Sequence, residues 1–217
     1  MNNSQTLRIN EIFFSLQGET RTVGIPTVFV RLTGCPLRCQ YCDTAYAFHK
    51  GEIQSLELIL ERVAAYGARY VTVTGGEPLA QQECIPLLEM LCDKGYEVSL
   101  ETSGAMSILD VDARVVTVLD LKTPGSLECD RNFESNIPLL KPQDQVKFVI
   151  CDRRDYEWAK AKCDQYDLRS IVDEVLFSPS FGQLEYKELA EWILADKLQV
   201  RMQLQLHKLI WGDKPGH

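Results

Sequence analysis

The chain has 217 residues, eight cysteines, three histidines and a formal net charge of −8. That length supplies one sizeable hydrophobic core, so a single domain over residues 1–217 is expected, and the acidic balance argues against a nucleic-acid-binding surface spread over the molecule. No apolar run is long enough to span a bilayer and Met1–Arg8 carries no apolar signal-peptide core, so the expectation is a cytoplasmic protein with no membrane or direct nucleic-acid partner.

Residues 28–32, Val-Phe-Val-Arg-Leu, read as a strand that ends at Thr33-Gly34. After Ser55, a candidate N-cap, Leu56, Ile59, Leu60 and Val63 recur at helical spacing, and Gly67 stands where that helix would stop. Strands are then expected at 70–74, 97–102, 115–121, 146–150 and 174–177, and helices at 82–94, 154–165 and 186–195. Residues 123–145 read as an irregular loop carrying a short helix. Strands alternating with helices imply a parallel sheet. About six such units fall short of the eight in a closed barrel, so the expected fold is α/β, an incomplete βα TIM-like barrel. Such folds assemble their sites at the C-terminal ends of the strands, where Gly75-Gly76-Glu77-Pro78, residues 101–104 and Asp120-Leu-Lys122 all fall.

The densest chemical signal is Cys35-Pro-Leu-Arg-Cys39-Gln-Tyr-Cys42, spaced C-x3-C-x2-C. An iron–sulfur cubane normally takes four thiolates. A three-thiolate site would leave one iron open to bind a small molecule and pass it an electron. A structural zinc site is the bland alternative, but it closes with four ligands, and here there is no second C-x2-C and no histidine knuckle. Cys84, Cys92, Cys129, Cys151 and Cys163 are scattered and read as packing residues. In Gly75-Gly76-Glu77-Pro78 the glycines allow close backbone approach to a ligand, and the carboxylate of Glu77 can meet a cationic amine.

Taken together, the cysteine triad after the first strand and the Gly-Gly-Glu-Pro after the second resemble the radical S-adenosylmethionine enzymes. The resemblance narrows to the 7-carboxy-7-deazaguanine synthases through Leu16-Gln17-Gly18-Glu19, Arg31, Cys42-Asp43-Thr44, residues 101–104, residues 120–125 and Gln205-Leu-His207-Lys208. It covers nearly the whole chain. Thr20 departs from it, because those enzymes have glycine after Leu-Gln-Gly-Glu. The resemblance implies a [4Fe–4S] cluster, S-adenosylmethionine and a magnesium ion. A hydrogen atom would be taken from C6 of 6-carboxy-5,6,7,8-tetrahydropterin, the ring would contract, and ammonia would leave.

By the same resemblance, Cys35, Cys39 and Cys42 hold the cluster and Thr44 the magnesium ion. Leu16, Gln17, Gly18, Thr102 and His207 contact the pterin, and Arg31 meets its carboxylate. Tyr41 lies beside the adenine, with Cys42 and Asp43 next to it. Glu77 holds the methionine amine, Gly104 lies against S-adenosylmethionine, and Lys122 approaches the methionine carboxylate or ribose. A flavodoxin- or ferredoxin-type electron donor and a homodimer are implied as well. A glycyl-radical activase of the same superfamily is the nearest rival reading. A non-catalytic iron–sulfur or zinc module is the rival from another class.

Overall fold

The computed structural model describes residues 5–212, 214 and 216. The first four residues and His217, which enter the sequence reading, lie outside the described residues. Among the described residues there are nine strands: β1 (Thr6–Leu16), β2 (Pro26–Leu32), β3 (Glu52–Ser55), β4 (Tyr70–Gly75), β5 (Glu97–Thr102), β6 (Val116–Asp120), β7 (Gln145–Ile150), β8 (Glu174–Pro179) and β9 (Arg201–Met202). Six α-helices accompany them: α1 (Leu56–Ala64), α2 (Cys84–Asp93), α3 (Arg153–Gln165), α4 (Leu168–Ile171), α5 (Tyr186–Ala195) and α6 (Leu206–Trp211).

Side-chain parity decides which face of the sheet receives helices. In β2, Val28, Val30 and Leu32 are fully buried in a core shared with α1 and α2, while Phe29 and Arg31 take the other face. The same alternation places Val71, Val73, Val98 and Leu100 in that core. It leaves Thr72, Thr74, Ser99 and Glu101 on the inner face, where Thr72 bonds Ser99 and Thr74 bonds Glu101. A second core joins α3 and α5 to β7 and β8 around Phe148, Tyr156 and Phe177. The helices end as their sequences dictate. The Ser55 hydroxyl accepts from Leu58 N, the Asp152 carboxylate accepts from Asp155 N, and Gly67 and Gly95 adopt positive φ just past α1 and α2.

The sheet order is β3-β1-β2-β4-β5-β6-β7-β8-β9, and every pair from β2 to β9 is parallel. The six expected parallel strands are present, with the two-residue β9 added at one edge. The other edge corrects the sequence reading. The expected first strand is preceded by the eleven-residue β1, antiparallel to both β2 and β3. A register shift between Ile9 and Glu11 breaks the alternation of β1, so its buried Leu7, Ile9 and Ile12 do not share one parity. The long loop at 123–145 contains three 3-10 turns.

The sheet curls without closing. Residues 17–25 leave β1 and cross the inner face as far as β7, where Glu19 pairs with Lys147 and Arg21 N donates to Gln145 Oε1 at 2.8 Å. From the far edge, Leu206 N at the start of α6 donates to Gly18 O at 2.8 Å. Loop and helix together bridge the gap that a complete barrel would fill with strands. Among the described residues no helix is long and apolar enough to cross a membrane.

Candidate active site

One cavity opens at the C-terminal ends of the parallel strands, and Cys35, Cys39 and Cys42 all line it. The loop that carries them is tied down at both ends. Gly34 N donates to Ala47 O at 2.9 Å, Glu77 N donates to Gly34 O at 2.7 Å, and Gln40 N donates to Ser126 O at 3.1 Å. Gly76 makes the approach feasible, since a Cβ there would fall 2.1 Å from Gly34 O and 2.8 Å from Cys35 Cβ. Burial pushes all three thiols up, Cys39 to about 11 even with Lys122 pulling the other way. Ligation needs the thiolate, so loading a metal centre here releases protons.

Acidic groups alternate with lysines around the rest of the wall. Burial works to raise the pKa of Glu19, but Lys147 and a 2.8 Å bond from Gln205 Nε2 bring it below the usual range. Burial likewise opposes ionisation of Asp43. Lys208, 3.0 Å from its Oδ2, and the Thr44 hydroxyl, donating to Oδ1 at 2.7 Å, more than offset it. Lys122 is 2.9 Å from Asp120 Oδ2 and lies over the Tyr41 ring at 5.9 Å. Burial tends to discharge Lys122, and Asp120, Tyr41 and Cys39 reverse that. Glu101 accepts from Thr74 Oγ1 at 2.9 Å and from Gln17 Nε2 at 3.2 Å.

Residues 29–117 match the Radical SAM superfamily. A 7-carboxy-7-deazaguanine synthase of Chlorobaculum tepidum is 44% identical over 215 residues, which cover 98% of this chain and 97% of that protein. The chain belongs to the 7-carboxy-7-deazaguanine synthase family. A synthase of Koribacter versatilis is 42% identical, with 94% of this chain and 97% of that protein covered. The crystal structure of QueE from Escherichia coli superposes with a TM-score of 0.76 at 24% identity, covering 93% of this chain and 95% of that one. Streptococcus suis SuiB bound to its precursor peptide SuiA gives 0.57 at 14% identity, over 79% of this chain and 46% of that one. At such identities the two structures speak to the fold alone, a radical S-adenosylmethionine partial barrel.

Membership of the synthase family brings a [4Fe–4S] cluster and S-adenosylmethionine with it, and the residues present fit both. Three thiols from one loop line one cavity. A three-thiolate donor set suits a cubane, whose thiolates each bond a different iron, better than a structural zinc ion, which closes with four ligands. Beside the triad, Tyr41 Oη and Asp120 Oδ1 are buried without a protein partner. Buried polar atoms of this kind call for a ligand or ordered water.

Leu16, Gln17, Gly18, Arg31, Tyr41, Asp43, Thr44, Lys122 and His207 all line the cavity. Arg31 donates through Nε to Glu11 at 2.7 Å, which leaves its terminal nitrogens for a ligand. Gly18 gives His207 room, since a Cβ there would lie 2.0 Å from His207 Nδ1. Thr44 precedes a 3-10 turn without capping it through its side chain, so its hydroxyl serves Asp43 instead.

Two expected residues stand back from the cavity. The Glu77 carboxylate is fully buried and accepts from Thr102 Oγ1, Ser103 N, Ser103 Oγ and Leu79 N. It braces the end of β5 and is not free to hold a methionine amine. Gly104, at φ +73°, forms the turn after β5 and packs against Leu119. Thr102 lines the cavity, but its hydroxyl is committed to Glu77, so any contact it makes falls to the main chain. The glycines of the Gly-Gly-Glu-Pro turn approach protein before ligand, because a Cβ on Gly75 would fall 2.6 Å from Leu32 O.

Sequence reasoning missed Thr74 and Lys147 as wall residues, and named Glu19 and Glu101 only within their motif segments, with no role of their own. For Glu101 the signal was strand parity, which puts it opposite Thr102 and beside Ser99. For Lys147 it was a lone charge in the apolar run Val146–Ile150.

Proposed function

We propose that this chain is the carbon–nitrogen lyase that converts 6-carboxy-5,6,7,8-tetrahydropterin to 7-carboxy-7-deazaguanine with loss of ammonia, a step of queuosine and 7-deazapurine biosynthesis. The observation that carries the reading is the meeting, in one cavity, of the cysteine triad with Arg31 and the Gln17–Gly18 segment. A cluster bound at Cys35, Cys39 and Cys42 would supply an electron to S-adenosylmethionine, and so the radical that takes the substrate hydrogen.

The protein's own side chains then divide the work. Arg31, held by Glu11 and lying 5.6 Å from the centroid of Phe13, presents a guanidinium suited to a carboxylate. Gln17 is fixed on both sides, with Nε2 on Thr72 Oγ1 and Glu101 Oε1 and Oε1 accepting from Glu19 N. It therefore sets the shape of the Leu16–Gly18 segment against the pterin, and His207 closes over Gly18 from α6. Tyr41, Cys42, Asp43, the main chain at Gly76, and Lys122 bound the S-adenosylmethionine side. A magnesium ion at Thr44 would have Asp43 as its nearest carboxylate and take its other ligands from water and substrate oxygens. We take the chain to be one cytoplasmic domain that works as a homodimer and is reduced by a flavodoxin or ferredoxin.

Anaerobic turnover tests the reading. The protein is reconstituted with iron and sulfide, then given S-adenosylmethionine, dithionite, magnesium and 6-carboxytetrahydropterin, and products are followed by mass spectrometry. Formation of 7-carboxy-7-deazaguanine is expected, and Cys39→Ala abolishes it. Cleavage of S-adenosylmethionine by the wild type without that product would keep the radical chemistry and remove the substrate assignment.

A further inference from the structure

The bulge in β1 decides what stands beside Arg31. Ile9 is buried in the core behind the sheet and pairs with Leu32, which faces the same core. Strict alternation would send Glu11 to that core as well. The register shift between Ile9 and Glu11 makes Asn10 an extra residue and turns Glu11 to the inner face, directly across from Arg31. There Glu11 Oε1 accepts from Arg31 Nε at 2.7 Å and from Tyr46 Oη at 2.8 Å. Burial, opposed by Arg31 and aided by the bond to Glu11, pushes the Tyr46 phenol up to about 12, so it keeps its proton and donates. The guanidinium carbon of Arg31 lies 5.6 Å from the Phe13 ring centroid and 5.9 Å from that of Tyr46. Phe13 is itself stacked on Phe29, with centroids 4.9 Å apart. Phe13, Phe29 and Arg31 line the cavity, whereas Glu11 and Tyr46 stand behind that lining. Tyr46 belongs to the 3-10 turn Ala45–Phe48, which follows Cys42, Asp43 and Thr44. One carboxylate oxygen therefore ties the arginine of β2 to the end of the cysteine loop.

We propose that Glu11 and Tyr46 are positioning residues for the reaction: together they fix the Arg31 guanidinium, and with it the substrate carboxylate, against the loop that carries the cysteine triad. The inference rests on the lyase reading above and names what orients Arg31 within it. An unrestrained arginine samples many rotamers, and ordering it on a ligand weakens binding. Here Nε is committed and two rings confine the guanidinium, so the terminal nitrogens present their fork before the ligand arrives. Hydrogen transfer also needs the reacting carbon at a fixed place. The bond through Tyr46 gives the carboxylate end and the cysteine end of the site one frame. Its loss should uncouple cleavage of S-adenosylmethionine from product formation without stopping the cleavage.

The test uses the reconstituted enzyme and two stable probes, 6-carboxypterin and pterin, which lacks the carboxylate. The wild type is expected to bind 6-carboxypterin about tenfold more tightly or better. Glu11→Ala should remove most of that preference by weakening 6-carboxypterin alone, and should raise the KM for 6-carboxytetrahydropterin about tenfold. Glu11→Gln keeps an acceptor oxygen for Nε and the phenol, so it should recover part of the loss. Tyr46→Phe leaves the Arg31–Glu11 bond in place. It should change the preference by less than about threefold, yet raise the ratio of 5′-deoxyadenosine to 7-carboxy-7-deazaguanine about twofold or more. A merely structural role would weaken both probes alike and leave that ratio unchanged. Equal weakening of the probes, or an unchanged preference, in a folded Glu11→Ala would overturn the inference. If that variant does not fold, wild-type preference in Glu11→Gln together with a wild-type ratio in Tyr46→Phe would overturn it. Equal wild-type affinity for the two probes, or a wild type that makes no deazaguanine, would overturn the lyase reading itself, and this inference with it.

Discussion

Thr20 holds a backbone conformation that its side chain opposes. Its φ is +67°, it is only 2% exposed, and it stands where the family has glycine. A β-branched residue in the left-handed region costs about 1–2 kcal/mol, which is the strain expected from the sequence if this position needed positive φ. The hydroxyl recovers part of this by meeting Thr22 Oγ1 at 3.2 Å and by accepting weakly from Thr22 N. Glycine would relieve the strain but return about 0.5–1 kcal/mol of unfolded-state entropy. Thr20→Gly is therefore expected to change stability by less than about 1 kcal/mol, where an ordinary buried residue truncated this far would cost several. Urea unfolding measures it, and a loss above about 2 kcal/mol would mean that the hydroxyl contacts outweigh the strain.

At the scale of elements, the cysteine loop and the end of β4 fold as one piece. Gly75 lies against β2 and Gly76 against the stem of the loop, while Glu77 turns inward to three donors at the end of β5 and a fourth, Leu79 N, in its own turn. The Gly-Gly-Glu run was legible as functional in the sequence, but its immediate task is packing: it sets the loop at the depth from which its thiols face the cavity. Gly76→Ala must move either Gly34 or the loop. It is expected to cost about 1–3 kcal/mol and to lower the iron retained per chain after anaerobic reconstitution. Full iron content and unchanged stability would show that the loop tolerates the displacement. The bulge in β1 belongs to this scale as well, since it breaks the period-two alternation that marks a strand in a linear sequence.

Across the whole molecule, the open edge of the barrel is bridged by residues 17–25 on one side and α6 on the other. The Glu19–Lys147 pair fastens that bridge to β7. Both side chains are 13% exposed, so removing one partner strands a buried charge and costs about 3–5 kcal/mol. Lys147→Met is expected to fall in that range, and Glu19→Gln combined with it should recover part of the loss. The pair also sets a pH dependence. The folded pKa of Glu19 lies below its ordinary value near 4.5, so its contribution is complete above that pH and fades as the pH falls below it. Without Lys147, burial is the largest influence left and the folded pKa rises above the unfolded one. Stability from this group is then present at low pH and lost as pH climbs through the raised value. Thermal unfolding between pH 3 and 7 should show the two opposite slopes, and parallel profiles would remove Glu19–Lys147 as their source.

Much of this protein can be read from local pattern. The C-x3-C-x2-C spacing, the alternation in β2, β4 and β5, the Ser55 cap and the glycines after α1 and α2 each depend on neighbours within a few residues, and such information survives in a linear string. The six parallel strands and the cysteine triad that lines the cavity follow from it. The partners of the acidic groups depend instead on residues far apart in the chain: Glu19 with Lys147, Asp43 with Lys208, Glu77 with Thr102 and Ser103, Glu101 with Gln17. Only the curl of the sheet, closed by a loop from its first strand and a helix after its last, brings them within hydrogen-bonding reach. The kind of chemistry was therefore legible in the sequence, and which carboxylate pairs with which lysine was decided by the tertiary structure, because ion pairing acts at contact distance and no local spacing encodes it.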